Sequence, residues 1–136
     1  MNFDLTEERQ MLQDTLRRFL AGAEGDLWSQ LAELGVIGAL FPEEQGGFGG
    51  AGFDLSVVFE ELGRADVEVP LIDNALLPGM LLAAAGESVE ALIDGRERLV
   101  FAHTETAARY DYNWVETRAE GGKLTGEKCV IVGADT

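Results

Sequence analysis

The apolar residues of the first two thirds of the chain recur with the period of amphipathic helices. In the first such stretch they are spaced at steps of three, four and seven, so they line one face of a helix: Leu5, Leu12, Leu16, Phe19 and Leu20. Asp4 or Thr6 can cap this helix, and Gly22 and Gly25 end it. The same criteria predict four further helices, at residues 27–34, 54–65, 74–85 and 87–93.

The stretch 74–85 is apolar on nearly every side, which predicts a helix that is buried all round. A different pattern separates the second and third helices, where five glycines fall within seven residues: Gly46, Gly47, Gly49, Gly50 and Gly52. This density excludes a helix or strand and lets the backbone pass close to a neighbour, so we predict a structural turn. A phosphate-binding loop is the alternative, although the Lys-Ser/Thr pair of such loops is missing.

After Gly95 the period of the apolar residues changes to two, as in β-strands. The pair Gly121-Gly122 predicts a hairpin turn between two of the strands. Strands are predicted at residues 99–104, 114–119, 123–125 and 129–132.

These elements predict an α+β fold with two parts. An N-terminal all-helical bundle domain is expected at residues 1–95, followed by the first strands of an antiparallel β domain at residues 96–136. The last predicted strand is strongly apolar and no further strand follows it in the sequence. The sheet is therefore expected to be incomplete.

Charge divides the chain at the same place. The 136 residues carry a formal net charge of -15. Residues 1–94 hold 4 basic and 18 acidic side chains, whereas residues 95–136 hold 6 and 7, so nearly all of the excess is in the helical part. Such acidity argues against nucleic acid or an anionic membrane as a partner. The longest uncharged run, Asn74 to Gly86, is too short to span a bilayer.

The cysteine and histidine content excludes several classes of site. Cys129 is the only cysteine, so neither an internal disulfide nor a cysteine-rich zinc site is expected. His103 is the only histidine, which removes any multi-histidine metal site; it is either a base or a packed, partly exposed side chain. The N-terminus is acidic rather than basic, so no secretory signal is expected. We predict a cytoplasmic protein without a metal site.

Two groups of polar residues are candidates for chemistry. The adjacent pairs Glu7-Glu8, Glu43-Glu44 and Glu60-Glu61 point about 100° apart on a helix, so they predict solvated faces rather than a carboxylate dyad. The segment Phe101–Asp111 runs from a strand into a loop of small and polar residues. Exposed backbone N–H groups and a hydroxyl suit a planar, hydrogen-bonding cofactor.

The order of four motifs resembles the N-terminal helical domain of acyl-CoA dehydrogenases. They lie at residues 3–10 (FDLTEERQ), 31–38 (LAELGVIG), 42–50 (PEEQGGFGG) and 59–65 (FEELGRA). The segment Phe101–Asp111 is similar to the flavin-facing strand and loop of that family, usually an aromatic residue followed by Thr-Glu-Pro-Gly-Ala-Gly-Ser-Asp. Residues 124–132 are similar to its Gly-x-Lys strand. The resemblance covers essentially the whole chain.

The resemblance implies a helical bundle followed by an antiparallel β-barrel domain, and an FAD enzyme that removes the α and β hydrogens of an acyl-CoA thioester. The matching cofactor-binding residues are His103, Thr104, Val130 and Val132, with the Thr104 hydroxyl bonded to the flavin. The catalytic glutamate of the family falls in a later domain, so the resemblance assigns no catalytic residue here. Electron-transfer flavoprotein is the implied partner, and a homo- or hetero-oligomer the implied assembly.

The loop departs from the family pattern, because Thr106-Ala107-Ala108-Arg109-Tyr110 stands in place of Pro-Gly-Ala-Gly-Ser. This version of the loop resembles that of the small subunits of heteromeric enzymes such as pimeloyl-CoA dehydrogenase. Glu105 and Asp111 match the family, with a turn-stabilising carboxylate as the alternative role for both. We expect the chain to be inactive on its own. The alternative function is a non-catalytic interaction subunit that does not hold flavin.

Overall fold

A computed structural model describes residues 4–134. Phe3, which belongs to the first motif, and the outermost residues of the two predicted domains lie outside the described part. The elements, in chain order, are α1 (Glu7–Leu20), α2 (Leu27–Glu33), two short 3₁₀ turns (Gly38–Leu40 and Glu43–Gln45), α3 (Gly52–Arg64), a π-helical turn (Ile72–Leu76) continuing into α4 (Leu77–Ala84), α5 (Glu90–Ile93), β1 (Arg118–Glu120) and β2 (Lys123–Thr125).

The predicted first helix is confirmed, together with its cap. The Thr6 hydroxyl accepts the N–H of Arg9 at 3.4 Å, and two glutamates in the first turn face the positive end of the helix dipole. Helix α1 buries Leu16 and Leu20 against α3, which contributes Val58 and Leu62. Complete burial of one such leucine contributes roughly 1.5–3 kcal/mol. These contacts fix the direction of α3 relative to α1.

The glycine-rich segment forms the predicted turn and passes close to another backbone segment. The N–H of Gly49 donates to the carbonyl of Phe41, and the N–H of Gly50 donates to the carbonyl of Ala39, both at 2.9 Å. A Cβ atom on Gly47 or Gly49 would overlap these backbone carbonyl groups. Only glycine permits so close an approach.

The predicted fourth helix is present, but the prediction that it is buried all round is wrong. Its inner face, which includes the fully buried Leu71 and Ala75, packs on the core. On the outer face, Ile72 is 46% exposed and Met80 and Leu81 are each 57% exposed. The reason is that no other segment of the described chain reaches that face. The apolar residues on the outer face of this helix therefore form an exposed surface that is available for contact.

A proline produces the π-helical turn at the start of α4. Pro78 has no N–H, so it cannot donate to the carbonyl of Asn74, its partner in a regular α-helix. The N–H of Leu77 donates to the carbonyl of Ile72, five residues back, rather than to Asp73. The carbonyl groups of Asp73 and Asn74 are thus left without partners inside the helix. Both are used by the following part of the chain.

The predicted hairpin is confirmed, but two predicted strands are not formed. Strands β1 and β2 are antiparallel, with Ala119 opposite Leu124, and both turn glycines have positive φ. Residues 99–104 are not a strand, because the N–H groups of Leu99 and Phe101 bond to the helix rather than to a neighbouring strand. Residues 129–132 do not form one either, because Val130 adopts a φ of 52°. The predicted strand at 114–119 is shortened to β1, and α5 begins three residues later than predicted.

Candidate functional site

The segment that follows the helices is anchored to the start of α4 by three hydrogen bonds. The N–H of Leu99 donates to the Asn74 carbonyl at 3.4 Å, and the Asn74 side-chain amide donates to the Leu99 carbonyl at 2.6 Å. The N–H of Phe101 donates to the Asp73 carbonyl at 3.1 Å. In the two bonds that the segment donates, the acceptors are the two carbonyls that Pro78 leaves free. The polar Asn74, which sequence reasoning did not select, is signalled by its position four residues before that proline.

The structure places His103 and Thr104 on the fixed part of this segment. The His103 ring is half-buried and stacks on Phe101 with ring centroids 5.5 Å apart, an arrangement that favours the packed alternative for this histidine. The backbone is held from the other side, because Lys128 Nζ donates to the His103 carbonyl at 3.1 Å and the N–H of Cys129 donates to the Thr104 carbonyl at 2.9 Å. Among residues 4–134, no partner takes up the Thr104 hydroxyl.

Glu105 holds the next part of the chain together. Its carboxylate accepts the N–H groups of Glu116 at 2.6 Å and Thr117 at 3.1 Å, and also Lys128 Nζ at 2.7 Å, and the residue is only 4% exposed. The Lys128 ammonium and these N–H groups stabilise the charged form, which lowers the pKa of Glu105 from 4.5 to about 2. Glu105 therefore ties together three stretches of the chain rather than one turn.

Replacing Glu105 by Gln is expected to make the chain less stable at neutral pH, with a difference that disappears in acid. Because the folded-state pKa is depressed, the stabilisation is present above the ordinary value of 4.5 and is lost as the pH falls towards 2. The measurement is the urea midpoint of wild type and Glu105→Gln from pH 7 to pH 2.5. Glu127→Gln, an exposed neighbour of Lys128, is the matched control. A gap between the two curves that stays constant across this range would contradict the assignment.

The turn that follows Glu105 is rigid although it lacks the glycines of the related pattern. The N–H of Ala108 donates to the Glu105 carbonyl at 3.0 Å, and the N–H of Asp111 donates to the Ala108 carbonyl at 2.9 Å. The Asp111 carboxylate accepts the N–H of Asn113 at 3.0 Å, which confirms its turn-stabilising role. Arg109 occupies the left-handed region with a φ of 51°. Arg109 thus adopts a backbone conformation that is more usual for glycine.

Val130 and Val132 follow the residue that bonds to the Thr104 backbone, but both are open to solvent. Val130 is 82% exposed and Val132 is 46% exposed. They follow Cys129, whose N–H contacts Thr104 directly, so the structure brings them to the end of the segment that carries the hydroxyl. The cofactor-binding role of these four residues stays a prediction.

A buried ion pair was missed by the sequence analysis, which assigned Glu61 to a solvated face. Glu61 is 1% exposed, and both of its oxygens accept from Arg17, at 2.6 Å and 3.1 Å. Arg64 Nε lies 3.5 Å from the same carboxylate. The Arg17 hydrogen bonds lower the pKa of Glu61. The burial of Glu61 could have been predicted from the sequence, because this residue lies three residues after Val58 and next to Leu62 on the buried stripe of α3.

Within residues 4–134, no group of three or more His, Cys, Asp or Glu side chains is arranged to hold a metal ion. In the same part of the chain, no helix combines the length and the apolar character needed to cross a bilayer.

Comparison with known proteins identifies relatives over most of the chain. Residues 6–90 match the family model "Acyl-CoA dehydrogenase, N-terminal domain". The acyl-CoA dehydrogenase IpdE2 of Mycobacterium tuberculosis is 37% identical over 105 residues, covering 65% of this chain and 33% of that protein. The protein of the same name from Mycolicibacterium smegmatis is 31% identical over 140 residues, covering 89% and 45%.

A solved structure has a similar fold. A chain of the Tcur3481-Tcur3483 steroid ACAD superposes with a TM-score of 0.74 at 27% sequence identity, covering 92% of this chain and 41% of that one. The present chain therefore spans between a third and just under half of the length of these relatives.

Proposed function

The chain belongs to the acyl-CoA dehydrogenase family, and on that premise we propose that it forms part of an FAD-dependent enzyme that oxidises an acyl-CoA thioester. The N-terminal helical domain is proposed to end near Gly95, where the helices give way to the anchored segment. The observation that carries the proposal is the free hydroxyl of Thr104 on a backbone that is fixed from both sides. A cytoplasmic location remains the expectation from sequence.

The residues present fit a flavin ring. A planar, polar ring system needs a hydrogen-bond donor held in a constant position and an apolar surface beside it. Thr104 provides the donor, since its hydroxyl is not taken up by another described residue. The exposed side chains of Val130 and Val132 provide apolar surface on the segment that begins at Cys129, whose N–H donates to the Thr104 carbonyl. The His103 carbonyl is already bonded to Lys128, so the proposed role of His103 is to hold the extended segment in place.

In the proposed reaction the thioester loses its α hydrogen as a proton and its β hydrogen as a hydride. FAD supplies the acceptor of the hydride when it is bound. The part of the work that belongs to this chain is orientation. The Asn74 contacts hold the extended segment against the helical domain, and the Glu105 contacts hold the following loop to Lys128 and residues 116–117. No residue of this chain is proposed as the base.

The partners follow from the family and from the relatives. An acyl-CoA is the proposed substrate and electron-transfer flavoprotein the proposed acceptor of the electrons. We also propose a homo- or hetero-oligomer, since the solved relative carries the names of two components. That relative is called a steroid ACAD, which makes a steroid acyl-CoA the first thioester to test.

Thr104→Val is expected to weaken FAD binding without changing the fold. Valine has nearly the same shape as threonine but cannot donate, so one hydrogen bond is lost, about 1–1.5 kcal/mol or roughly a 5- to 13-fold change in Kd. The measurement is FAD titration followed by flavin fluorescence, with the helical circular dichroism signal as a check on folding. Thr104→Ser keeps the hydroxyl and should restore most of the affinity. Equal affinity of the Val variant and the wild type would remove Thr104 from the site.

A second candidate function is a docking subunit that does not hold flavin. The exposed apolar face of α4, formed by Ile72, Met80 and Leu81, favours it, because a surface of this kind suits contact with another protein. The loop without Gly-Ser also favours it. Colour distinguishes the two functions. If the purified chain, alone and mixed with FAD and then desalted, remains colourless and its partner complex holds flavin only in the other subunit, the docking function is correct.

A further inference from the structure

The segment that carries Thr104 is attached to a second helix, α2, through the side chain of Arg98. Arg98 Nη2 donates to Asp26 Oδ1 at 2.7 Å, across 72 positions of the chain. The guanidinium also lies over the ring of the buried Trp28, with its central carbon 5.1 Å from the ring centroid. Asp26 is the N-cap residue of α2, and Trp28 lies in its first turn. An ion pair and a cation–π contact therefore hold Arg98 against the start of α2.

The acceptor of Arg98 is itself held in place. The Ser29 hydroxyl donates to the other oxygen of Asp26 at 2.6 Å, so both carboxylate oxygens are bonded. The loop before α2 is fixed as well, because the side-chain amide of Gln30 donates to the carbonyl of Glu24 at 2.8 Å. The Ser29 hydrogen bond and the Arg98 charge keep the pKa of Asp26 below its usual value, so the carboxylate is charged at neutral pH. Arg98 thus has an acceptor of constant position and charge.

Contacts with two helices fix the direction of this segment, whereas contacts with one would not. Leu99 and Phe101 bond to the start of α4, and a segment held on a single helix can pivot there. The Arg98 contact lies on α2, so it removes that freedom. Thr104 follows Phe101 by three residues, and the position of its hydroxyl therefore depends on both attachments. A group that binds a ligand needs such support from the rigid elements around it.

We propose that Arg98 is a positioning residue for the ligand bound at Thr104, because its contacts with Asp26 and Trp28 set the direction in which the Thr104 hydroxyl is presented. The inference rests on the proposed function, which supplies FAD as that ligand. The Arg98 and Asp26 side chains are 39% and 57% exposed, so the pair contributes little to the stability of the whole fold. Its effect is instead local, on the segment that leads to Thr104.

Arg98→Met keeps the length of the side chain and removes its charge and its donors. The melting temperature should fall by no more than about 5 °C, as expected for an exposed pair. In the chain without ligand, hydrogen exchange at the Phe101 N–H, followed by NMR, should become roughly 2- to 5-fold faster, because the segment leaves its place on α4 more often. The affinity for FAD, followed by flavin fluorescence, should fall by roughly 2- to 5-fold, less than for Thr104→Val.

A second background separates positioning from a general effect on the fold. In the Thr104→Val chain the hydroxyl is absent, so Arg98→Met should change the FAD affinity by less than about twofold there. Arg96→Met is the matched control, because Arg96 is exposed and pairs only with the nearby Asp94. It should leave exchange and affinity at their wild-type values. Arg98→Lys keeps the charge beside Asp26 and should recover most of both.

The results distinguish failure of the inference from failure of the proposed function. Equal losses of FAD affinity from Arg98→Met in the wild-type and Thr104→Val chains would show that Arg98 does not act through Thr104. Unchanged exchange and affinity in Arg98→Met would likewise overturn the inference, while the proposed function stands. If the wild-type chain does not bind FAD, both are wrong.

Discussion

Gly49→Ala is expected to destabilise the helical domain by about 3 kcal/mol or to prevent its folding. The new Cβ would overlap the backbone carbonyl of Ala39, which cannot move away without breaking the hydrogen bond that it accepts from Gly50. Overpacking of this kind costs about 1–3 kcal/mol, and each lost backbone hydrogen bond adds about 1 kcal/mol. Urea unfolding followed by circular dichroism at the helical minimum measures the effect.

Gly63→Ala is the matched control for that substitution. Gly63 lies inside α3, and a Cβ at this position meets no other atom within 4 Å. Alanine favours the helix over glycine, so the control should be more stable than the wild type by about 0.5–1 kcal/mol. Opposite signs for the two substitutions would show that close backbone approach, and not glycine flexibility in general, is required at Gly49. A Gly49→Ala protein with wild-type stability would show that the turn packs differently.

The second large effect is expected from Arg17→Met. The substitution leaves the buried carboxylate of Glu61 without its bidentate partner, while Arg64, at 3.5 Å, and the Gln13 side chain remain near it. Removing one partner of a fully buried pair costs about 3–5 kcal/mol. Because the Arg17 side chain is 49% exposed, we expect about 2–3 kcal/mol. The measurement is the free energy of unfolding at pH 7.

Arg18→Met provides the comparison, because it makes the same change of residue and charge one position along α1. Arg18 is exposed and contacts only a backbone carbonyl, so its replacement should change stability by less than about 0.5 kcal/mol. If the two variants unfold alike, the Arg17–Glu61 pair contributes nothing specific to the fold. Arg17→Lys should fall between them, since lysine keeps the charge but not the two parallel donors.

The elements that depend on local pattern were predictable from sequence. Helices α1 and α3 follow from the spacing of their apolar residues, and the close turn follows from the density of glycine. Glu61 was assigned wrongly because adjacency with Glu60 was given more weight than its position on the buried stripe. The outer face of α4 was wrongly predicted to be buried. Burial depends on which other segments pack against a helix, and the composition of the helix itself does not indicate this.

The candidate site was predictable only in part, for a related reason. Thr104 and His103 were selected by resemblance, and the structure gives them a fixed backbone. The alternation of apolar and polar residues at 99–104 indicates an extended chain. It does not indicate whether the carbonyl groups that accept from this segment belong to a strand or to a helix. The contacts of Lys128 with residues 103 and 105 join positions more than 20 apart in the chain, so no local pattern reveals them.

Pro78 has a consequence for the thermodynamics of the whole chain. The two carbonyls that it frees at the start of α4 are the ones that hold Leu99 and Phe101, so the irregular helix and the docked segment depend on the same hydrogen bonds. A ligand whose binding requires these hydrogen bonds therefore also stabilises the start of α4, the end of the helix that carries the exposed Ile72. A missing N–H group thereby links a candidate ligand site to a candidate contact surface.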